Sequence, residues 1–215
     1  APRSSRVHRE IPRTGLVLAA SLLAPLALAA PAPDLQGDLT QLSFEELANL
    51  KVTSVSRRSE PLADAAASVY VITAEQIRRS GATTLPEVLR LAPNLHVAAA
   101  SASGYAISAR GMNGSTSVAP NKLLVMIDGR SVYTPLFSGV FWDAQEVIVE
   151  DLERVEVVSG PGGTLWGVNA VNGVINVTTR SAADSGGGLV SVGGGNHESR
   201  AALRYGGHVG DDGHF

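Results

Sequence analysis

No cysteine occurs in the 215 residues, which excludes disulfides and thiolate metal sites but names no compartment. Aromatic residues make up 5% of the chain, and no basic run is interleaved with them as a nucleic-acid-binding surface would require. H-E-x-x-H and G-x-S-x-G are both missing, and the five histidines are scattered at positions 8, 96, 197, 208 and 214. Acidic pairs such as Glu45-Glu46 and Asp211-Asp212 stand in polar context and read as solvated. Enzyme and nucleic-acid readings therefore find no support. Only residues 15–30 form an uncharged, Leu- and Ala-rich run, and it is short and broken by Pro25, a poor spanning helix.

That run has another meaning. Arg3, Arg6, Arg9 and Arg13 precede it, and it ends in Ala27-Leu28-Ala29, a small-x-small signal-peptidase pattern. Residues 1–29 read as a cleaved export signal, with the mature chain starting near Ala30. Beyond the signal, 13 basic side chains face 19 acidic ones, a net charge of −6. Hydrophobic content of 44% is enough for a core, and 23 glycines favour turns and β structure.

The exported part opens with a polar leader, 30–59, carrying a short helical pattern at 42–50. LKVTSVSRR follows at 50–58, a β-prone segment with no obvious strand partner within the chain. Residues 60–181 read as an α+β domain of about 120 residues. Ser68 to Ile72 is a predicted strand. Thr73 with Gln76 forms a capping box for a helix ending at Ser80-Gly81, and Thr84 with Glu87 repeats the device for a second. Further strands are expected at 106–110, 123–127, 155–158 and 174–179, with Asp128-Gly129 as a hairpin turn into 130–133.

The glycine cluster GPGGTLWGVNAVNG, which precedes the last of these strands, resembles a phosphate loop only superficially. Gly167 is followed by Val168-Asn169 where a Walker loop needs Lys-Ser or Lys-Thr, and G-x-G-x-x-G fails at Leu165. A tight turn into a buried strand is the better reading, with Asn169 and Asn172 as turn formers. Past Ser181 the texture changes. In ESRAALRYGG, Ala201, Leu203 and Tyr205 alternate with Arg200, Ala202 and Arg204. Membrane β-barrel strands read this way, and so does an ordinary amphipathic hairpin.

In combination, VTSVSRR, VYVITAEQIRRSGATTLPEVLRLAPNLHV, ARGM, LLVMIDGRSVY and DLERVEVVSGPGGTLWGVNAVNGVINVTTR resemble the plug region of TonB-dependent outer-membrane receptors. The resemblance implies an α+β plug with a mixed β-sheet and short helices. The start of a transmembrane barrel of about 22 strands would follow at 187–215. It further implies an outer-membrane location, with the plug in the barrel lumen and the leader in the periplasm. The function implied is import of a scarce ligand, most simply a ferric siderophore, using energy from TonB with ExbB and ExbD. Vitamin B12 or another non-iron substrate, a signalling receptor and a free-standing periplasmic binding module are the alternatives. A signalling receptor carries an extra folded domain before its TonB box, and about 20 residues between Ala30 and Leu50 are too few for one. No cofactor is implied.

Site residues follow only where the motif matches. Lys51, Val52, Thr53, Ser54, Val55 and Ser56 occupy the place of the TonB box, a segment that pairs as a strand with TonB. Arg110 in ARGM matches a plug arginine that meets barrel glutamates; a simple surface charge is the other reading. Ser159 stands where a second such arginine is usual, so any plug–barrel lock is reduced or supplied differently. The ligand-facing loops would be 98–105, 112–121 and 133–142, carrying Tyr105, Asn113, Ser115, Tyr133, Phe137, Phe141 and Trp142. Their aromatics suit a bound ligand and packing equally well.

Overall fold

Strand β8 (Leu152–Ser159) alternates its side chains between two faces, and the fold is organised on either side of it. A computed structural model describes residues 49–101, 104–111, 122–195, 199–210 and 213–215, all within one unit. The export signal 1–29, the leader before residue 49 and most of the 42–50 pattern lie outside the described residues.

Five strands form the central sheet in the order β3 (Ser68–Thr73), β8, β9 (Gly173–Thr179), β6 (Leu123–Ile127) and β7 (Arg130–Ser131). β6 runs parallel to β9, and the other pairings are antiparallel, so the sheet is mixed as expected. One face presents Ile72, Val155, Val157, Ile175, Val177, Leu123 and Val125. These share a core with Ile77 of α1 (Ala74–Ser80) and with Leu85, Val88 and Leu89 of α2 (Leu85–Leu89). Each such aliphatic side chain, once buried, contributes about 1.5–3 kcal/mol. Ile107 and Ala109 extend this core from a two-stranded sheet, β4 (Leu95–Ala99) with β5 (Tyr105–Ala109). The opposite face carries Leu124, Met126, Val158 and Val174, with Glu156 and Asn176 among them in the same period of two.

The first capping box forms as read. The Thr73 side chain accepts the Gln76 amide, the Gln76 side chain accepts the Thr73 amide, and Gly81 closes the helix at φ 70°. The second does not. Thr84 makes no side-chain cap bond and its hydroxyl is buried without a partner among the described residues, while Glu87 accepts the Thr83 amide at 2.8 Å and the Thr83 hydroxyl at 2.9 Å. The acid reaches one residue further back than a capping box requires, because the stretch before α2 offers it two donors at Thr83. β4 was not apparent as a strand beforehand, and β7 is shorter than the 130–133 reading. Asp128-Gly129 makes the two-residue turn into β7, and the Asp128 carboxylate accepts the Thr179 amide and hydroxyl at 2.8 and 2.9 Å.

Around the glycine cluster the chain turns through Gly160 (φ 106°), forms the single helical turn α3 (Gly163–Trp166) and leaves through Gly167 (φ 86°). Gly173 opens β9 so close to its neighbour that a Cβ there would lie 2.5 Å from the Val158 carbonyl oxygen. After β9 the chain makes an antiparallel hairpin of two eight-residue strands, β10 (Gly187–Gly194) with β11 (Ser199–Gly206). A short pair, β12 (His208–Val209) with β13 (Gly213–His214), ends it.

Candidate functional site

The segment expected to lack a partner has several. β1 (Lys51–Val52) pairs antiparallel with β2 (Glu60–Pro61), and the Leu50 carbonyl accepts the Leu62 amide at 2.7 Å. Val52 is fully buried, Ser54 is buried, Thr53, Val55 and Ser56 are half-buried, and Lys51 is exposed. Val55 packs beside the Leu124–Val158–Val174 face of the sheet. Only Lys51 and Val52 are extended; Ser54 to Ser56 form a turn.

Glu156 is what the turn sits on. It lies in the middle of β8 with no exposed surface, and one carboxylate oxygen, Oε2, accepts both the Thr53 amide (3.0 Å) and the Ser54 amide (2.8 Å). Its other oxygen accepts the Arg154 Nε–H at 2.9 Å and the Thr53 hydroxyl at 3.4 Å. A buried carboxylate is costly unless it is paired and hydrogen-bonded, and here both conditions hold. Burial pushes its pKa up, but the nearby Ser54 side chain, Arg154 and the Thr53 and Ser54 amides more than offset this, so it ends below the ordinary 4.5.

The glycine cluster supplies the other half. Its one helical turn sets Trp166 beside the segment, where the indole N–H donates to the Ser54 carbonyl at 2.7 Å. The Arg57 guanidinium stacks 4.4 Å from the centre of the same indole, and the Arg57 amide donates to the Thr53 carbonyl at 3.0 Å. Asn176 adds a bond from Nδ2 to the Thr53 hydroxyl at 3.4 Å. Sequence reading missed Glu156, Trp166 and Asn176 as a set. The one available signal was a charge amid the valines of VEVV, and a partly exposed strand face would explain that equally well.

The other expected residues disperse. Trp142 is buried in the main core with its indole N–H unpartnered among the described residues, Tyr133 is buried with Leu124 and Met126, and Tyr105 packs against the main core. Phe137 and Phe141 stack face to face at 4.2 Å, and both Phe141 and Leu136 are exposed. Arg110 is exposed at φ 59°. Asn113 and Ser115 lie outside the described residues. Ser159, in the place of the second arginine, accepts from Asn94 Nδ2 at 2.5 Å.

The β10–β11 hairpin turns one face to the domain and one away. Val190, Val192, Leu203 and Tyr205 are exposed, while Arg200 and Arg204 point inward. Arg200 pairs with Glu150 at 3.1 Å, and Arg204 with Asp151 at 2.9 Å. Ser191 donates to Glu150 at 2.5 Å; that bond, opposed by burial and aided by the Glu150 amide and Arg200, holds the Glu150 pKa below its ordinary value.

The family model for the TonB-dependent Receptor Plug Domain matches residues 61–174. The chain is 35% identical over 153 residues to a Vitamin B12 transporter BtuB of Vibrio vulnificus, an alignment covering 70% of this chain and 24% of that protein. It is 31% identical over 139 residues to the Ferric enterobactin receptor PirA of Pseudomonas aeruginosa, covering 59% of this chain and 18% of that one. Among solved structures, the pyoverdine outer membrane receptor FpvA of Pseudomonas aeruginosa matches with TM-score 0.61 and 22% identity, over 76% of this chain and 23% of that one. At that identity the likeness is one of fold. The chain spans about a quarter or less of the length of these proteins.

Proposed function

Since this chain belongs to the TonB-dependent receptor plug domain family, we propose that it is the amino-terminal part of an outer-membrane transporter that imports a scarce ligand using energy from TonB. The observation that carries the reading is the family match over 61–174, which takes in β3, β6, β7 and β8 of the mixed sheet, the start of β9 and the short helices. In this reading 1–29 is an export signal, 30–59 a periplasmic leader, 60–181 the plug and 187–215 the first strands of a barrel of about 22 strands. The hairpin supports this. It carries its exposed apolar side chains on one face and its arginines on the other, as a strand pair between lipid and a filled lumen requires.

Lys51 to Ser56 is the segment that lends its backbone to a strand of TonB, which acts with ExbB and ExbD. The plug–barrel lock is supplied from the acidic side, by plug Glu150 and Asp151 meeting hairpin Arg200 and Arg204. Arg110, exposed, is left to meet the remainder of the barrel. The stacked Phe137–Phe141 pair is the best placed of the expected aromatics to touch a ligand, and Asn113 and Ser115 keep that assignment from the sequence alone.

A ferric siderophore is the first substrate class, since PirA, 31% identical, is a ferric enterobactin receptor. Vitamin B12 is the second, favoured by the 35% identity to a B12 transporter. Uptake of labelled ferric siderophore and labelled vitamin B12 by cells expressing the full-length receptor decides between them. In the same cells Val55→Pro, which removes a ladder donor and fixes φ, abolishes uptake but leaves surface binding intact, whereas Val55→Ala spares both. Undiminished uptake by the proline variant would refute the assignment of 51–56.

A further inference from the structure

The segment assigned to TonB is not in a conformation that a partner strand can use. In an extended strand consecutive N–H groups point to opposite edges. Here the consecutive amides of Thr53 and Ser54 converge on one oxygen of Glu156, which requires the turn seen at 54–56. The carbonyls are occupied as well, that of Thr53 by the Arg57 amide and that of Ser54 by the Trp166 indole. Four successive main-chain groups, the currency of strand addition, are thus already satisfied inside the chain.

We infer that Glu156 and Trp166 form a two-sided clamp that competes with the TonB strand for the backbone of Thr53 and Ser54. Glu156 takes the donors and Trp166 takes an acceptor, and both must let go before the segment can straighten and pair. They are positioning residues: neither touches the partner, and each acts by setting how often the segment is free. Arg57 tightens the clamp from outside, stacking on the indole and closing the turn through its own amide. The geometry also accounts for the glycine cluster. Its one helical turn, between Gly160 and Gly167, sets the indole nitrogen where it reaches the Ser54 carbonyl.

The inference rests on the assignment of 51–56 to TonB, and the test separates the two. Purified full-length receptor is compared as wild type, Glu156→Gln, Trp166→Phe and Val55→Pro. Hydrogen exchange is followed in the peptide spanning 51–58, and affinity is measured for the soluble periplasmic domain of TonB. Glutamine keeps one acceptor but loses the charge; phenylalanine keeps the ring but loses the donor. Both variants are expected to speed exchange at Thr53 and Ser54 and to tighten TonB binding, about two- to tenfold for the neutral bond lost in Trp166→Phe and about tenfold or more for the charge-assisted bonds weakened in Glu156→Gln. Val55→Pro is expected to abolish TonB binding.

If Val55→Pro abolishes binding while Glu156→Gln and Trp166→Phe leave exchange or affinity unchanged, the clamp is overturned and the assignment stands. If Val55→Pro binds TonB like the wild type, the assignment itself fails and the competition with it. Protection of β9 reports whether the sheet survives substitution at Glu156. Where that protection is lost, Trp166→Phe, which lies outside the sheet, decides the matter with the same two readouts.

Discussion

The indole nitrogen of Trp166 donates to the carbonyl oxygen of Ser54 across 112 residues of sequence. It ties the loop before β9 to the segment before β2, and neither is ordered by its own local pattern. Glu156, 102 residues from Ser54, closes the same turn from the sheet side.

The Glu156 carboxyl has a pKa below 4.5 in the folded chain, because its hydrogen bonds outweigh the desolvation that pushes it up. A lowered carboxyl contributes stability that is complete above its ordinary value and is lost as pH falls through its folded value. Exchange in the 51–58 peptide, corrected for its intrinsic pH dependence, is therefore expected to stay flat at neutral pH and to rise only below about 4.5. In Glu156→Gln the rise should vanish. A rise that persists in that variant would place the titrating group elsewhere.

Hairpin and plug should be coupled through Arg200–Glu150 and Arg204–Asp151. Both side chains of the first pair are about a third exposed, so the expected coupling is only about 0.2–1 kcal/mol. A double-mutant cycle of Arg200→Ala with Glu150→Ala, read by thermal unfolding, measures it. Additive effects would mean that the pair contributes nothing to the docking of the hairpin.

Gly173→Ala should be among the most damaging small substitutions. The new Cβ would meet the Val158 carbonyl at 2.5 Å, and backbone in a central sheet has little room to move. A loss of about 1–3 kcal/mol is expected from overpacking of this kind. Urea unfolding would show it as a lower midpoint, and an unchanged midpoint would mean that β9 can shift away from β8.

Among the loop aromatics the effects should divide. Trp142→Ala opens the core and should cost about 3–5 kcal/mol of stability. Phe141→Ala, at the surface in its stack with Phe137, should leave stability within about 1 kcal/mol. It should instead weaken ligand binding to the full-length receptor. Equal ligand affinity for Phe141→Ala and wild type would leave the stack without a role in recognition.

Most of the sheet and the helices α1 and α2 were legible in advance. The β-prone runs 68–72 and 174–179, the Thr73–Gln76 box with Gly81 as its stop, and the Asp128-Gly129 turn each act over a few residues. Backbone sterics and near-neighbour hydrogen bonds decide them, and these are written in adjacent letters. The Thr84–Glu87 box shows the limit. The letters fit, but Thr83 offered the acid two donors and took it.

The partner of 51–56, the burial of Glu156 and the docking of Arg200 and Arg204 on plug acids were decided only in three dimensions. Each joins segments far apart in sequence, so no local period or propensity bears on it. A lone acid in VEVV can face water as easily as a turn of backbone, and only the arrival of Thr53 and Ser54 over the sheet turns that charge inward. Sequence pattern determined most of the elements and, through ordered motifs, the family. Which main-chain groups remain free to bind a partner is set by long-range hydrogen bonds that exist only once those elements have packed.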